Sequence, residues 1–191
     1  MNDVRADTVV VMAKAPHPGL VKTRLEPLLG ANGCAQLQAT LIATAATLAV
    51  DAGYRARVAT MPAAACDEVC ALTPPPAEIV PQRGSSLGER MCCAVSDGIT
   101  AGADCVIVIG TDLPTLTVDR LPEVFWIDPL LWGGADVLAA TLAVAEEAKL
   151  TVQLLPVERD LDVPDDAGAL RDDPRLSAAV RSLLAPVEAD A

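Results

Sequence analysis

The sequence predicts an α/β fold with a mostly parallel sheet, because short β-branched runs alternate with longer segments of helical apolar spacing and Gly or Pro clusters separate them. The length, 191 residues, is that of one domain, expected over residues 1–191. With 52% apolar residues, such a chain forms a core without disulfide or metal staples.

In chain order, strands are expected at Thr8–Ala13, Tyr54–Thr60, Glu78–Pro81, Cys105–Gly110 and Thr151–Val157. Helices are expected near 32–51, 86–101 and 134–149. In the first, Leu37, Leu41, Ala45 and Leu48 share one face, and Gly53 stops the helix. The second opens with Ser86 and Glu89 at capping-box spacing. Pro74, Pro75 and Pro76 read as a stiff connector within the domain. After Asp165 the chain is charged, with one further helix expected at 174–185.

Charge narrows the function. Lys and Arg number 14 against 26 Asp and Glu, a net charge of −12, which argues against nucleic acid or an anionic membrane surface as the main partner. The first apolar run, Val9 to Ala13, is too short for a signal peptide or a membrane span, so the expected location is cytoplasmic. The six cysteines (34, 66, 70, 92, 93, 105) show no paired C-x-x-C spacing and are read as small buried hydrophobes.

Ligands of open parallel sheets sit beyond the carboxyl ends of the strands, so the segments just after each strand are the informative ones. After the first strand, Lys14 to Leu25 carries Lys14, Lys22 and Arg24 and no acid. Stiffened by Pro16 and Pro18, this loop suits a diphosphate, lysines acting as point charges and arginine as a planar fork; a solvated basic turn is the plainer alternative. Val21 stands where a Walker loop requires glycine, and there is no G-x-G-x-x-G. In the segment Gln82 to Arg90, Gly84 and Gly88 allow close backbone approach, and the helix beginning there favours anions. Asp112 ends the fourth strand, and Asp160 and Asp162 come after the last. Their oxygens suit Mg²⁺ or Mn²⁺ bridging two phosphates, or serve only as turn and capping groups.

The order of these pieces is more specific than any one of them: Met12-Ala13-Lys14-Ala15-Pro16, Pro18-Gly19, Val21-Lys22-Thr23-Arg24-Leu25, Leu87-Gly88-Glu89-Arg90-Met91, Gly110-Thr111-Asp112 with Pro114, and Asp160-x-Asp162-x-Pro164-x-Asp166. On these motifs, from about residue 8 to 170, the sequence resembles the bacterial glycosyltransferase-A-like family of arsenosugar-biosynthesis-type glycosyltransferases, within the nucleotide-diphospho-sugar transferase superfamily. The resemblance implies a Rossmann-like three-layer sandwich and a metal-dependent transferase using a nucleotide or nucleotide sugar. It implies that Lys14, Lys22, Arg24, Gln82, Gly84, Gly88 and Arg90 hold the nucleotide and its phosphates, and that Asp112, Asp160 and Asp162 approach the divalent metal. It names no nucleophile or general base. Nucleotidyltransferases of the same superfamily, such as a guanylyltransferase of cofactor biosynthesis, look similar at the same motifs, so glycosyl and nucleotidyl transfer both remain open.

One departure stands out. The family's Asp-Gly-Gly-Tyr stretch is missing, and only 45 residues separate Pro114 from Asp160. A deletion of roughly forty residues would shorten the sheet and remove much of the acceptor side. A degenerate nucleotide-binding or interaction module is therefore a third reading. Phe125, Trp126 and Trp132, three of the four aromatic residues, fall in this region and could form a homodimer seam or pack back onto the domain.

Overall fold

The computed structural model describes residues 7–120, 137–147, 149, 151, 152, 154 and 157–185. Four parallel strands form the sheet: β1 (Thr8–Lys14), β2 (Arg55–Met61), β3 (Glu78–Pro81) and β4 (Val106–Gly110). Their spatial order is β3-β2-β1-β4, with Val10 level with Arg57 on one side and Val108 on the other. Such a sheet is buried on both faces, which is why β1 reads as an unbroken apolar run. Val9, Val11 and Ala13 face one layer and Val10 and Met12 the other, as the two-residue strand period requires.

Helix α1 (Glu26–Asp51) and the short α2 (Cys66–Cys70) cover the first face. Helix α3 (Leu87–Thr100) covers the second, close enough that a Cβ on Gly98 would lie 2.7 Å from Val106 Cγ2. The predicted capping box closes the start of α3: Glu89 N donates to Ser86 Oγ at 3.2 Å, and the Glu89 carboxylate accepts from the Ser85 and Ser86 backbone. Helix α1 begins before the expected 32–51: a short helical piece from Glu26 joins the main helix across a kink at Gly30, whose φ of 66° glycine adopts without strain.

Among the described residues three α-helices come after β4: α4 (Val137–Glu147), α5 (Pro164–Leu170) and α6 (Ala178–Leu183). The single helix expected at 174–185 is thus shorter, and α5 precedes it, started by Pro164 at its first turn and by the Asp166 carboxylate accepting from the Val163 amide. A second core forms where Leu161, Leu170, Leu176, Val180 and Leu184 pack on Leu25, Leu37 and Leu41 of the α1 region. By length and composition alone, the stretch Thr23–Asp51 is long and apolar enough to cross a membrane. Here its apolar positions are shared between the sheet, through Ile42, Ala46 and Ala49, and the C-terminal core, through Leu37 and Leu41.

Two expectations are corrected. Residues 151, 152, 154 and 157 are not in a strand, and 153, 155 and 156 lie outside the described residues. Only Cys34 is fully buried among the cysteines; Cys70 is exposed and the rest are partly covered. The aromatic residues 125, 126 and 132 lie outside the described residues.

Candidate functional site

The chain runs outward from β1 to β2 and β3, then returns across β1 to lay down β4 on its other side. The crevice between the carboxyl ends of β1 and β4 is the switch point where open α/β sheets bind ligands. Lys14 ends β1, and Gly110-Thr111-Asp112 ends β4. The backbone bond from Leu161 N to Asp112 O, 2.8 Å, draws the Asp160–Asp162 segment to the same place. Glu158 anchors that segment from below, accepting from Arg175 at 2.7 Å and from Thr115 Oγ1 at 3.2 Å, and the Arg175 guanidinium holds its carboxyl below the usual range.

The loop after β1 folds back into the crevice. Lys22 adopts a left-handed backbone (φ 49°) at the entry to a 3-10 turn, Thr23–Leu25, and its side chain is only 4% exposed. Its Nζ donates to Asp112 Oδ1 at 2.7 Å and to the Leu161 carbonyl at 2.5 Å. Arg24 Nη1 donates to Asp162 Oδ2 at 2.5 Å. Two of the three cations of this loop thus hold two of the three expected metal carboxylates. The third carboxylate, Asp160, has no hydrogen bond among the described residues; burial, then the nearby Asp112 charge, pushes its pKa up. Lys14 is exposed and makes no ion pair among the described residues.

Two clefts meet along Lys14, Thr111 and Asp112. One, about 370 Å³, is lined by Lys22, Thr23, Arg24 and Asp162 and is chiefly polar. The other, about 540 Å³, is chiefly apolar and is lined by Met12, Met61, Leu87, Met91, Val108 and Leu113, with Arg90 and Asp160 as its charged members besides the shared Lys14 and Asp112. Together they offer an anion-binding compartment beside one that suits a flat or apolar group.

The Gln82–Arg90 segment contributes unevenly. Both amide hydrogens of Gln82 are used on backbone carbonyls, Ala13 O at 2.9 Å and Ala59 O at 2.8 Å, so its side chain ties β1 to β2 and leaves only an acceptor for a ligand. Gly84 (φ 126°) has a structural requirement: a Cβ there would lie 2.8 Å from Arg90 N. Gly88 is buried in the first turn of α3. Arg90 lines the apolar cleft with a buried Nε that has no partner among the described residues.

Sequence reasoning missed Gln38, whose Nε2 donates to Lys14 O at 3.1 Å and to Thr111 Oγ1 at 3.3 Å, fixing the two strand ends relative to each other. Its signal was a polar residue on the buried face of α1, beside Leu37 and Leu41. The methionines were missed as well: Met12, Met61 and Met91, every one but Met1, line a single cleft.

For a metal, the donor chemistry fits, since carboxylate oxygens are the hard ligands Mg²⁺ and Mn²⁺ take. Among the described residues no group of three His, Cys, Asp or Glu is arranged to hold one. Lys22 and Arg24 stand against Asp112 and Asp162.

A family described as uncharacterised proteins conserved in bacteria (DUF2064) matches residues 44–126. No curated protein matches the chain. Among solved structures, a protein from Desulfovibrio desulfuricans G20, provisionally described as a nucleotide-diphospho-sugar transferase, superposes with a TM-score of 0.83 at 24% identity, over 94% of each chain. The fold is therefore the Rossmann-like glycosyltransferase-A three-layer sandwich with a mostly parallel sheet. Coverage of 94% on both sides means that the chain is not shortened by forty residues against this structure.

Proposed function

We propose that the protein is a transferase acting on a nucleotide-activated donor, most simply a nucleotide sugar, with Mg²⁺ or Mn²⁺ as cofactor. The observation that carries this reading is the meeting of Lys14, Lys22, Arg24, Asp112, Asp160 and Asp162 at the β1/β4 switch point, between a polar and an apolar cleft. The provisional description of the structurally similar protein supports the same class.

In this reading Lys14, Lys22 and Arg24 bind the diphosphate in the polar cleft, and the base lies against the methionines with Arg90 at its edge. Asp112, Asp160 and Asp162 would hold the cation, which supplies charge neutralisation on the diphosphate as it leaves. Once the ligands are bound, the lysines and arginine stabilise the same developing charge. Gln38 and Gln82 position the strand ends that carry these groups. One domain, residues 1–191, houses the whole site, since the C-terminal core closes on α1.

The test is thermal stability against nucleoside di- and triphosphates and nucleotide sugars, each with and without Mn²⁺ or Mg²⁺. A metal-dependent rise of several degrees for one base is expected, because ligand at 100 times its Kd adds about 2.7 kcal/mol. Turnover of that ligand with release of a nucleoside phosphate supports sugar transfer, whereas pyrophosphate release assigns nucleotidyl transfer. A flat panel on folded protein overturns the donor site and leaves a binding module without this ligand.

A further inference from the structure

The ion pairs of the polar cleft constrain how its ligands arrive. Asp112 is half exposed, yet the ammonium that neutralises it belongs to a side chain only 4% exposed, held by two acceptors. Arg24, by contrast, reaches Asp162 from a side chain 72% exposed. The cleft thus contains two cation–carboxylate pairs that already satisfy each other, with Lys14 beside them in no ion pair among the described residues.

Either ligand arriving alone breaks this balance. A divalent cation on Asp112 and Asp162 competes with Lys22 and Arg24 and leaves positive charges with no counter-charge. A diphosphate that draws Lys22 and Arg24 away strands two carboxylates, one of them next to Asp160, a third carboxylate with no hydrogen bond among the described residues. An uncompensated charge is costly where it is buried, as the Lys22 ammonium is, and costs less at the exposed Arg24–Asp162 pair. Both arriving together cost neither, because the cation takes the carboxylates and the phosphates take the lysine and arginine.

Resting on the transferase reading above, we propose that Lys22 and Arg24 are internal counter-ions that occupy the metal carboxylates in the resting protein, and that metal and diphosphate bind by exchanging partners with these two pairs. The exchange makes the two ligands mutually dependent, so that each prepares the site for the other. It also accounts for the lack of an assembled metal cluster among the described residues.

The consequence runs against ordinary expectation: removing a site residue tightens the binding of one ligand. Binding of Mn²⁺ alone, followed by the electron paramagnetic resonance of the free ion, is measured for the wild type, Lys22→Met and Arg24→Met. In parallel, binding of inorganic pyrophosphate alone, in the presence of chelator, is measured calorimetrically for the wild type and Asp112→Asn. Lys22→Met is expected to bind Mn²⁺ tighter and Asp112→Asn to bind pyrophosphate tighter, each by about tenfold, and Arg24→Met, whose pair is exposed, to bind Mn²⁺ tighter by about twofold to fivefold.

Should Lys22→Met fail to fold, Arg24→Met, altered at an exposed position, carries the metal arm alone. Unchanged or weaker Mn²⁺ binding in the folded cation variants, or unchanged or weaker pyrophosphate binding in Asp112→Asn, overturns the exchange. In that case, a wild-type response to metal with nucleotide in the stability panel leaves the transferase reading standing. A wild type that responds to no metal–nucleotide combination removes that reading and the exchange with it.

Discussion

Asp112 is where sequence and structure meet most directly, for its position at a strand end was legible and its partner was not. Gly-Thr-Asp with proline two residues on places a carboxylate beyond β4, but only folding brings Lys22, 90 residues away, to 2.7 Å from it. In the presence of metal, Asp112→Asn is expected to weaken nucleotide binding by about tenfold or more while leaving the melting temperature of the unliganded protein within a few degrees, a combination that thermal shift with and without Mn²⁺ would reveal. Gly84 makes a different kind of prediction. Its φ of 126° and the 2.8 Å approach to the Arg90 amide exclude a Cβ, so Gly84→Ala should lose about 1–3 kcal/mol in urea unfolding whether or not ligand is present. A loss of nucleotide affinity at unchanged stability would instead mark Gly84 as a contact to ligand.

Helix α3 shows what a short motif establishes by itself. The Ser86 and Glu89 spacing predicts a capping box and the structure contains one, because both halves of the interaction lie within a single turn. Ser86→Ala should cost about 1 kcal/mol, read as a lower urea midpoint at unchanged slope. The Glu89 carboxylate is held below its ordinary pKa by the Ser85 hydroxyl and by the Ser85 and Ser86 amides. A group depressed in the folded state contributes stability that is present above its unfolded value and is lost as pH falls through the folded one. Wild type and Glu89→Gln should therefore differ at pH 7 and converge as pH drops below the ordinary carboxylate range; a constant gap down to pH 2 would refute the assignment. Helix α5 escaped sequence reasoning for the opposite reason. Its seven residues carry too little periodicity, and its acidic opening reads equally well as a turn.

For the whole molecule, the C-terminal segment is structural rather than a tail. Leu161, Val180 and Leu184 are 0% exposed, and Leu170 and Leu176 are 3% exposed, all packed against the α1 region. Removing everything after Asp160 would expose Leu25, Leu37 and Leu41 and forfeit burial worth about 1.5–3 kcal/mol per side chain, comparable with the entire stability of a domain. The truncated chain is expected to show no cooperative thermal transition. A sharp transition near that of the full chain would show that the sheet stands without this core. The sequence by itself determined the α/β class, four strands placed to within about a residue, the α3 cap and the residue types able to meet phosphate and metal, because strand runs, capping spacing and charge are local properties. Only the tertiary structure decided that the sheet order sets β1 beside β4 and that three methionines share a cleft. The same holds for Lys22 and Arg24, which in the resting fold face Asp112 and Asp162. Such pairings join residues about ninety to one hundred and forty positions apart, and nothing in a local pattern encodes which distant side chain will neutralise a charge once the chain has closed upon itself.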